Sequence, residues 1–145
     1  MKDETYLTGL NASNSPRWKW MPGMRYIVKR PDPLEPITGR VPDQMRGWTP
    51  YRGAVPDFDD PATMGCLLAL VRKVIGDPGL YVRLSDTTRK SDGRRAWEVL
   101  GWITASHSPD GRAGSFRGWG YADEAEALVA TLNALPAPNK REVGK

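Results

Sequence analysis

The sequence predicts an α+β domain in which a helix, a three-stranded antiparallel meander and a second helix follow one another between residues 56 and 136. Three observations carry this reading. Apolar residues recur at three- and four-residue spacing after Pro61 and again after Asp123, the pattern of two half-buried helices. Between them lie three segments rich in β-branched and aromatic residues, joined by turns too short for a helical crossover, so the strands must run antiparallel. A chain of 145 residues is also of the size that closes around one hydrophobic core.

The first helix starts at Pro56-Asp57-Phe58-Asp59-Asp60-Pro61. Asp60 is placed to accept hydrogen bonds from free amides, and Pro61 fits the first helical position because its missing N–H has no intrahelical use. Asp57 and Asp59 add negative charge where the helix dipole favours it. Met64, Leu67, Leu68, Val71, Val74 and Ile75 form the apolar face, and Gly76 and Pro78 end the helix. Leu80 to Leu84 alternates as a strand with Leu80, Val82 and Leu84 inward. Residues 85 to 95 read as a polar turn, and Trp97 to Ala105 as the second strand with a bulge expected at Gly101. After the turn at Ser108 to Gly111, Phe116-Arg117-Gly118-Trp119-Gly120-Tyr121 forms the third strand. Asp123 and Glu126 have capping-box spacing, and Ala125, Leu128, Val129, Leu132 and Leu135 line the second helix, stopped by Pro136.

Residues 1 to 55 read as an irregular arm, broken by Asn14-Ser15-Pro16, Met21-Pro22-Gly23 and Pro31-Asp32-Pro33. Trp18, Trp20, Tyr26, Trp48 and Tyr51 are too apolar for a purely solvated segment, so the arm is expected to lie partly on the core. Met24 to Lys29 alternates weakly, and would make the meander four-stranded if it joined it. Residues 137 to 145 read as a polar tail.

Several function classes lack a signature. No apolar run reaches the roughly 20 residues that span a bilayer, and Met1-Lys2-Asp3-Glu4 does not open a secretory signal, so a cytoplasmic protein without membrane contact is expected. Cys66 is the single cysteine and His107 the single histidine, which rules out an internal disulfide and makes a transition-metal site improbable. Cys66 lies in the helical apolar pattern and His107 in a turn, so a core thiol and a surface histidine are the simpler readings. There is no phosphate-cradling Gly-x-x-x-x-Gly-Lys-Ser/Thr segment, no dinucleotide fingerprint and no nucleophile motif. No catalytic residue, metal or cofactor is expected.

Charge gives a weak lead. The arm holds nine basic against five acidic residues, whereas residues 56 to 136 hold nine against eleven and are slightly acidic, which weighs against nucleic acid as the partner. Arg89, Lys90, Arg94 and Arg95 form a loop whose guanidinium forks suit phosphate or carboxylate, although solvated turn charge explains them too. Arg117 and Trp119 could contact a phosphate and stack a base, although sheet packing accounts for that strand equally well.

The segments Trp20-Met21-Pro22-Gly23-Met24 and Pro56 to Arg72, together with the Ala-rich stretch Glu124 to Ala130, resemble small uncharacterised proteins of tailed bacteriophages and prophages. The layout is similar to the phage ABA sandwich domain, which implies helix, sheet and helix layers. The resemblance implies a non-enzymatic phage accessory protein that binds a host component, as a counter-defence inhibitor; Trp18, Trp20 and Trp48 of the arm are the expected partner-binding residues, because tryptophan is enriched at protein interfaces. The alternative is a sponge for a nucleotide-like immune signal, held by Arg94, Arg95, Arg117 and Trp119, in a chain that could form homo-oligomers, and the second alternative is a nucleic-acid-binding phage regulator.

Overall fold

In the computed structural model, which describes residues 3–108 and 111–134, the elements run α1 (Asp3–Ser13), β1 (Arg25–Val28), β2 (Ile37–Arg40), β3 (Val55–Pro56), α2 (Pro61–Ile75), β4 (Tyr81–Thr88), β5 (Arg95–Ile103), β6 (Gly114–Tyr121) and α3 (Glu124–Ala134). The class is α+β, and the expected order of helix, meander and helix is present as α2, β4-β5-β6 and α3.

Both helices begin as their side chains predict. The Asp60 carboxylate accepts from the Thr63 amide at 3.0 Å and from its hydroxyl at 2.9 Å. The Asp123 carboxylate accepts from the Glu126 amide at 2.8 Å, while Glu126 reaches back to the Ala122 amide at 3.3 Å. Gly76 caps α2, its amide donating to the Arg72 carbonyl. Leu67, Leu70, Val71 and Ile75 of α2 and Ala125, Leu128, Val129 and Leu132 of α3 are buried in one core with Phe58, Leu80, Val99 and Ile103. Full burial of each large aliphatic side chain contributes about 1.5–3 kcal/mol. Leu135 and the polar tail lie outside the described residues.

The meander departs from the expected pattern at its bulges. β5 has no bulge at Gly101, where Asp77 and Leu80 crowd close instead. The shift in register with β6 falls between Trp97↔Tyr121 and Glu98↔Trp119, so Gly120 is the extra residue, with φ +94°. Glycine adopts that backbone without the Cβ penalty. The extra residue turns Tyr121 onto the core side while leaving Trp119 on the opposite side. A second irregularity lies between Leu84 and Thr88, and β4 continues to Thr88, shortening the expected polar turn to residues 89–94.

The first 55 residues are more regular than their Pro and Gly content predicts. α1 has no strong apolar stripe to betray it in the sequence. It is fixed by tertiary contact: Gly9 lies so close to β3 that a Cβ there would stand 2.8 Å from the Pro56 carbonyl oxygen. The expected strand at Met24 to Lys29 exists as β1, but it pairs with β2 and β3 in a separate three-stranded sheet and does not extend the meander. This sheet builds a second core of Met24, Tyr26 and Val41, against which Trp18, Trp20, Trp48 and Cys66 pack. Its link to α2 is polar. The Arg25 amide donates to Thr63 Oγ1 at 2.8 Å, Arg25 pairs with Asp57 at 3.2 Å, and Arg40 grips both Asp60 oxygens at 2.9 and 2.6 Å. That bidentate contact, with the Thr63 hydrogen bonds, holds the Asp60 carboxyl well below its usual range.

Candidate binding face

Strand alternation sorts the meander's side chains onto two faces. Val82, Val99, Ile103, Phe116 and Tyr121 enter the helical core. The opposite face carries Tyr81, Arg83, Glu98, Leu100, Trp102, Ser115, Arg117 and Trp119, as the pairings Tyr81↔Leu100↔Arg117, Arg83↔Glu98↔Trp119 and Trp102↔Ser115 require. Among the described residues no helix or strand covers it. Trp102 is 54% exposed, and Tyr81 and Trp119 are each 45% exposed. Large aromatics left in water at three points of one sheet face are unusual, since burying each ring would remove a large apolar area from solvent.

At the centre stands Glu98, only 1% exposed although it belongs to the open face. Arg83 Nε donates to its Oε1 at 2.5 Å, and Arg117 Nε donates to Oε2 at 2.8 Å while its Nη2 forms an ion pair with the same oxygen at 2.7 Å. The two guanidinium groups roof the carboxylate and remain more than half exposed themselves. Hydrogen bonding to Arg83 leads the effects that lower the Glu98 pKa, outweighing desolvation, with Arg117 adding to it. The one acid among these face residues is thus sealed beneath two cations, and at the centre of the face solvent meets guanidinium and aromatic surface. A polar cleft of about 400 Å³ runs alongside, lined by Arg83, Ser85, Asp86, Thr87, Glu98 and Arg117.

The charge distribution is sharper than it looks in one dimension. Residues 81–121 hold seven basic against four acidic residues, net +3, while residues 56–80 and 122–134 are net −2 and −3. The acids of the core cluster at helix starts, where Arg25 and Arg40 engage two of them. The expectation of a slightly acidic core therefore averages over two unlike sides.

Arg117 and Trp119 come together on the open face. The loop cations divide. Arg89 pairs with Asp92 at 3.2 Å, and Arg95 donates to the Ser85 carbonyl at 2.8 Å and pairs with Asp86 at 3.1 Å, so both are engaged within their own hairpin. Lys90 and Arg94 are exposed at the hairpin tip, where the Arg94 amide donates to Asp92 at 3.0 Å and neither side chain forms an ion pair among the described residues. Trp18, Trp20 and Trp48, the expected partner-binding residues of the arm, lie away from the open face. They are half-buried in a ring cluster, with Trp18–Trp20 centroids 5.5 Å apart and Trp20–Trp48 centroids 6.3 Å apart, because the small second sheet has few aliphatic residues to fill its core.

No protein-family model matches the sequence, and neither a curated protein nor a solved structure matches it. The chemistry of the site rests on its own residues.

Two other groups have local explanations. Cys66 is half-buried beside the second core, where burial raises its pKa and disfavours the reactive thiolate. His107 is exposed in a turn, with Nδ1 2.7 Å from the Thr104 hydroxyl. Among the described residues, no group of three or more His, Cys, Asp and Glu could hold a metal ion, and no helix is long and apolar enough to cross a membrane.

Sequence reasoning missed Tyr81, Arg83, Glu98 and Trp102. Strand periodicity could have found them, because Glu98, Leu100 and Trp102 fall on the parity opposite Val99 and Ile103. The bulge at Gly120 leaves Trp119 in register with Glu98 and turns only Tyr121 to the core, so the face can be assigned only once the β5–β6 register is known, which a strand carrying three glycines at 114, 118 and 120 does not reveal.

Proposed function

We propose that this chain is a non-enzymatic accessory protein, of bacteriophage type as its sequence resemblance implies, that binds a component of the host bacterium through the open face of the β4-β5-β6 meander. The supporting observation is the cluster of Tyr81, Trp102 and Trp119 around a sealed Arg83–Glu98–Arg117 triad. Trp, Tyr and Arg are the residue types that dominate binding energy at interfaces, and here they share one face without a buried partner of their own. Inhibition of a host defence component in the cytoplasm is the role this reading assigns.

The test is affinity capture from bacterial lysate with the full chain, scoring both protein and nucleic acid retained. Wild type retains a component that the Trp102→Ala/Trp119→Ala chain loses while its melting temperature is unchanged. Equal retention by both chains, or none by either, refutes the assignment to this face.

The polar cleft beside Glu98 supports a second reading, a sponge for a nucleotide-like signal. A phosphate there would meet the outward N–H groups of Arg83 and Arg117, with Trp119 next to them. A ligand bound only by the folded chain raises the melting temperature, so no shift with cyclic or linear nucleotides at millimolar concentration removes this reading.

A further inference from the structure

We infer that the component recognised by the open face is single-stranded nucleic acid, a deepening that rests on the proposed binding role of the meander. Two observations select this partner. The first is charge: the meander is net +3, the acid on its open face lies 1% exposed beneath Arg83 and Arg117, and Lys90 and Arg94 extend the basic surface at the hairpin tip. A guanidinium-bearing surface whose central carboxylate is hidden complements a polyanion, the exposed Asp86 at the edge of the cleft being paired with Arg95.

The second is the placement of the rings. Trp102 lies four residues along β5 from Glu98, the residue opposite Trp119. With about 3.3 Å per residue and about 4.8 Å between strands, the two indoles are carried on Cα atoms roughly 14 Å apart. Tyr81 is two strands from Trp119 and one pleat repeat along, about 12 Å away by the same geometry. One base covers one ring, so a mononucleotide uses only one of the three platforms. A strand of several nucleotides uses all of them, its bases on Trp119, Trp102 and Tyr81 and its phosphates near Arg83 and Arg117. Duplex nucleic acid hides its base faces inside the stack and cannot do this. Glu98 positions the two guanidinium groups and touches no ligand.

Fluorescence anisotropy with labelled 12-nucleotide single-stranded DNA and RNA, and with the matching duplex, tests the assignment at about 50 mM and 200 mM salt. The expected result is single-strand binding that weakens with salt and exceeds duplex binding. Trp102→Ala and Trp119→Ala each reduce affinity by about fivefold or more, with unchanged circular dichroism. Lys90→Gln/Arg94→Gln, far from the rings, lowers the slope of log affinity against log salt by about 1.4, at roughly 0.7 for each phosphate no longer neutralised. Absence of single-strand binding at 50 mM salt, equal or tighter duplex binding, or affinity unaltered by both tryptophan substitutions overturns it. If lysate capture retains a protein through the same two tryptophans while no oligonucleotide binds, the open face stands as a binding surface and only the single-strand assignment falls.

Discussion

Glu98→Gln separates a structural carboxylate from an incidental one. The side chain receives three contacts from two arginines, at 2.5, 2.8 and 2.7 Å, and is 1% exposed. A hydrogen bond to a charged group contributes about 1.5–3 kcal/mol net. Loss of one partner from a fully buried ion pair costs about 3–5 kcal/mol, because the other charge stays trapped. Arg83 and Arg117 are not trapped, being 57% and 59% exposed, so they turn to water and the screened part of the interaction is given up at little cost. The amide keeps one acceptor but sets an NH2 against a guanidinium. The resulting cost is about 2 kcal/mol, which for a chain of this length lowers the melting temperature by about 6–8 °C. Differential scanning calorimetry at pH 7 measures it directly, with Arg83→Ala and the double variant closing a mutant cycle. A Glu98→Gln chain that melts within about 1 °C of wild type, or a coupling energy near zero, refutes the claim that the triad holds the face together.

Gly9→Ala drives a Cβ to within 2.8 Å of the Pro56 carbonyl oxygen and pushes α1 off β3; hydrogen exchange across residues 3–13 accelerates while α2 and α3 remain protected. Gly120→Ala costs about 1–2 kcal/mol for a left-handed backbone, and Tyr121 fluorescence and ring-proton shifts report its loosening from the core. Leu67→Ala empties a fully buried site on α2 and costs about 2–5 kcal/mol by urea denaturation. Asp60 and Glu98 both have pKa values depressed by folding. Their contribution to stability is therefore complete above the unfolded carboxylate values of roughly 4 and is lost as pH falls below them. Urea midpoints between about pH 2 and pH 6 show this acid limb, and Glu98→Gln flattens part of it.

Local chemistry was legible wherever one side chain dictated it. Asp60 with Pro61, Asp123 with Glu126 and the leucine stripes of α2 and α3 each specify a helix without reference to the rest of the molecule. α1 was not legible, since its position depends on the approach of Gly9 to Pro56, residues 47 apart in the chain. The second sheet was hidden for a similar reason: β2 and β3 are four and two residues long, and only their pairing with β1 makes them strands. The candidate face shows the same division. Arg117 and Trp119 could be singled out from residue type, but their association with Arg83, Glu98 and Trp102 needed the register of the meander.

The six tryptophan indole N–H resonances of the chain, at residues 18, 20, 48, 97, 102 and 119, give the most direct test of where the molecule binds. In a two-dimensional nitrogen–proton spectrum titrated with a single-stranded oligonucleotide, the account predicts that Trp102 and Trp119 shift while Trp18, Trp20, Trp48 and Trp97 stay in place. Movement confined to Trp18, Trp20 and Trp48 would put the binding surface on the N-terminal aromatic cluster, and contradict the open face.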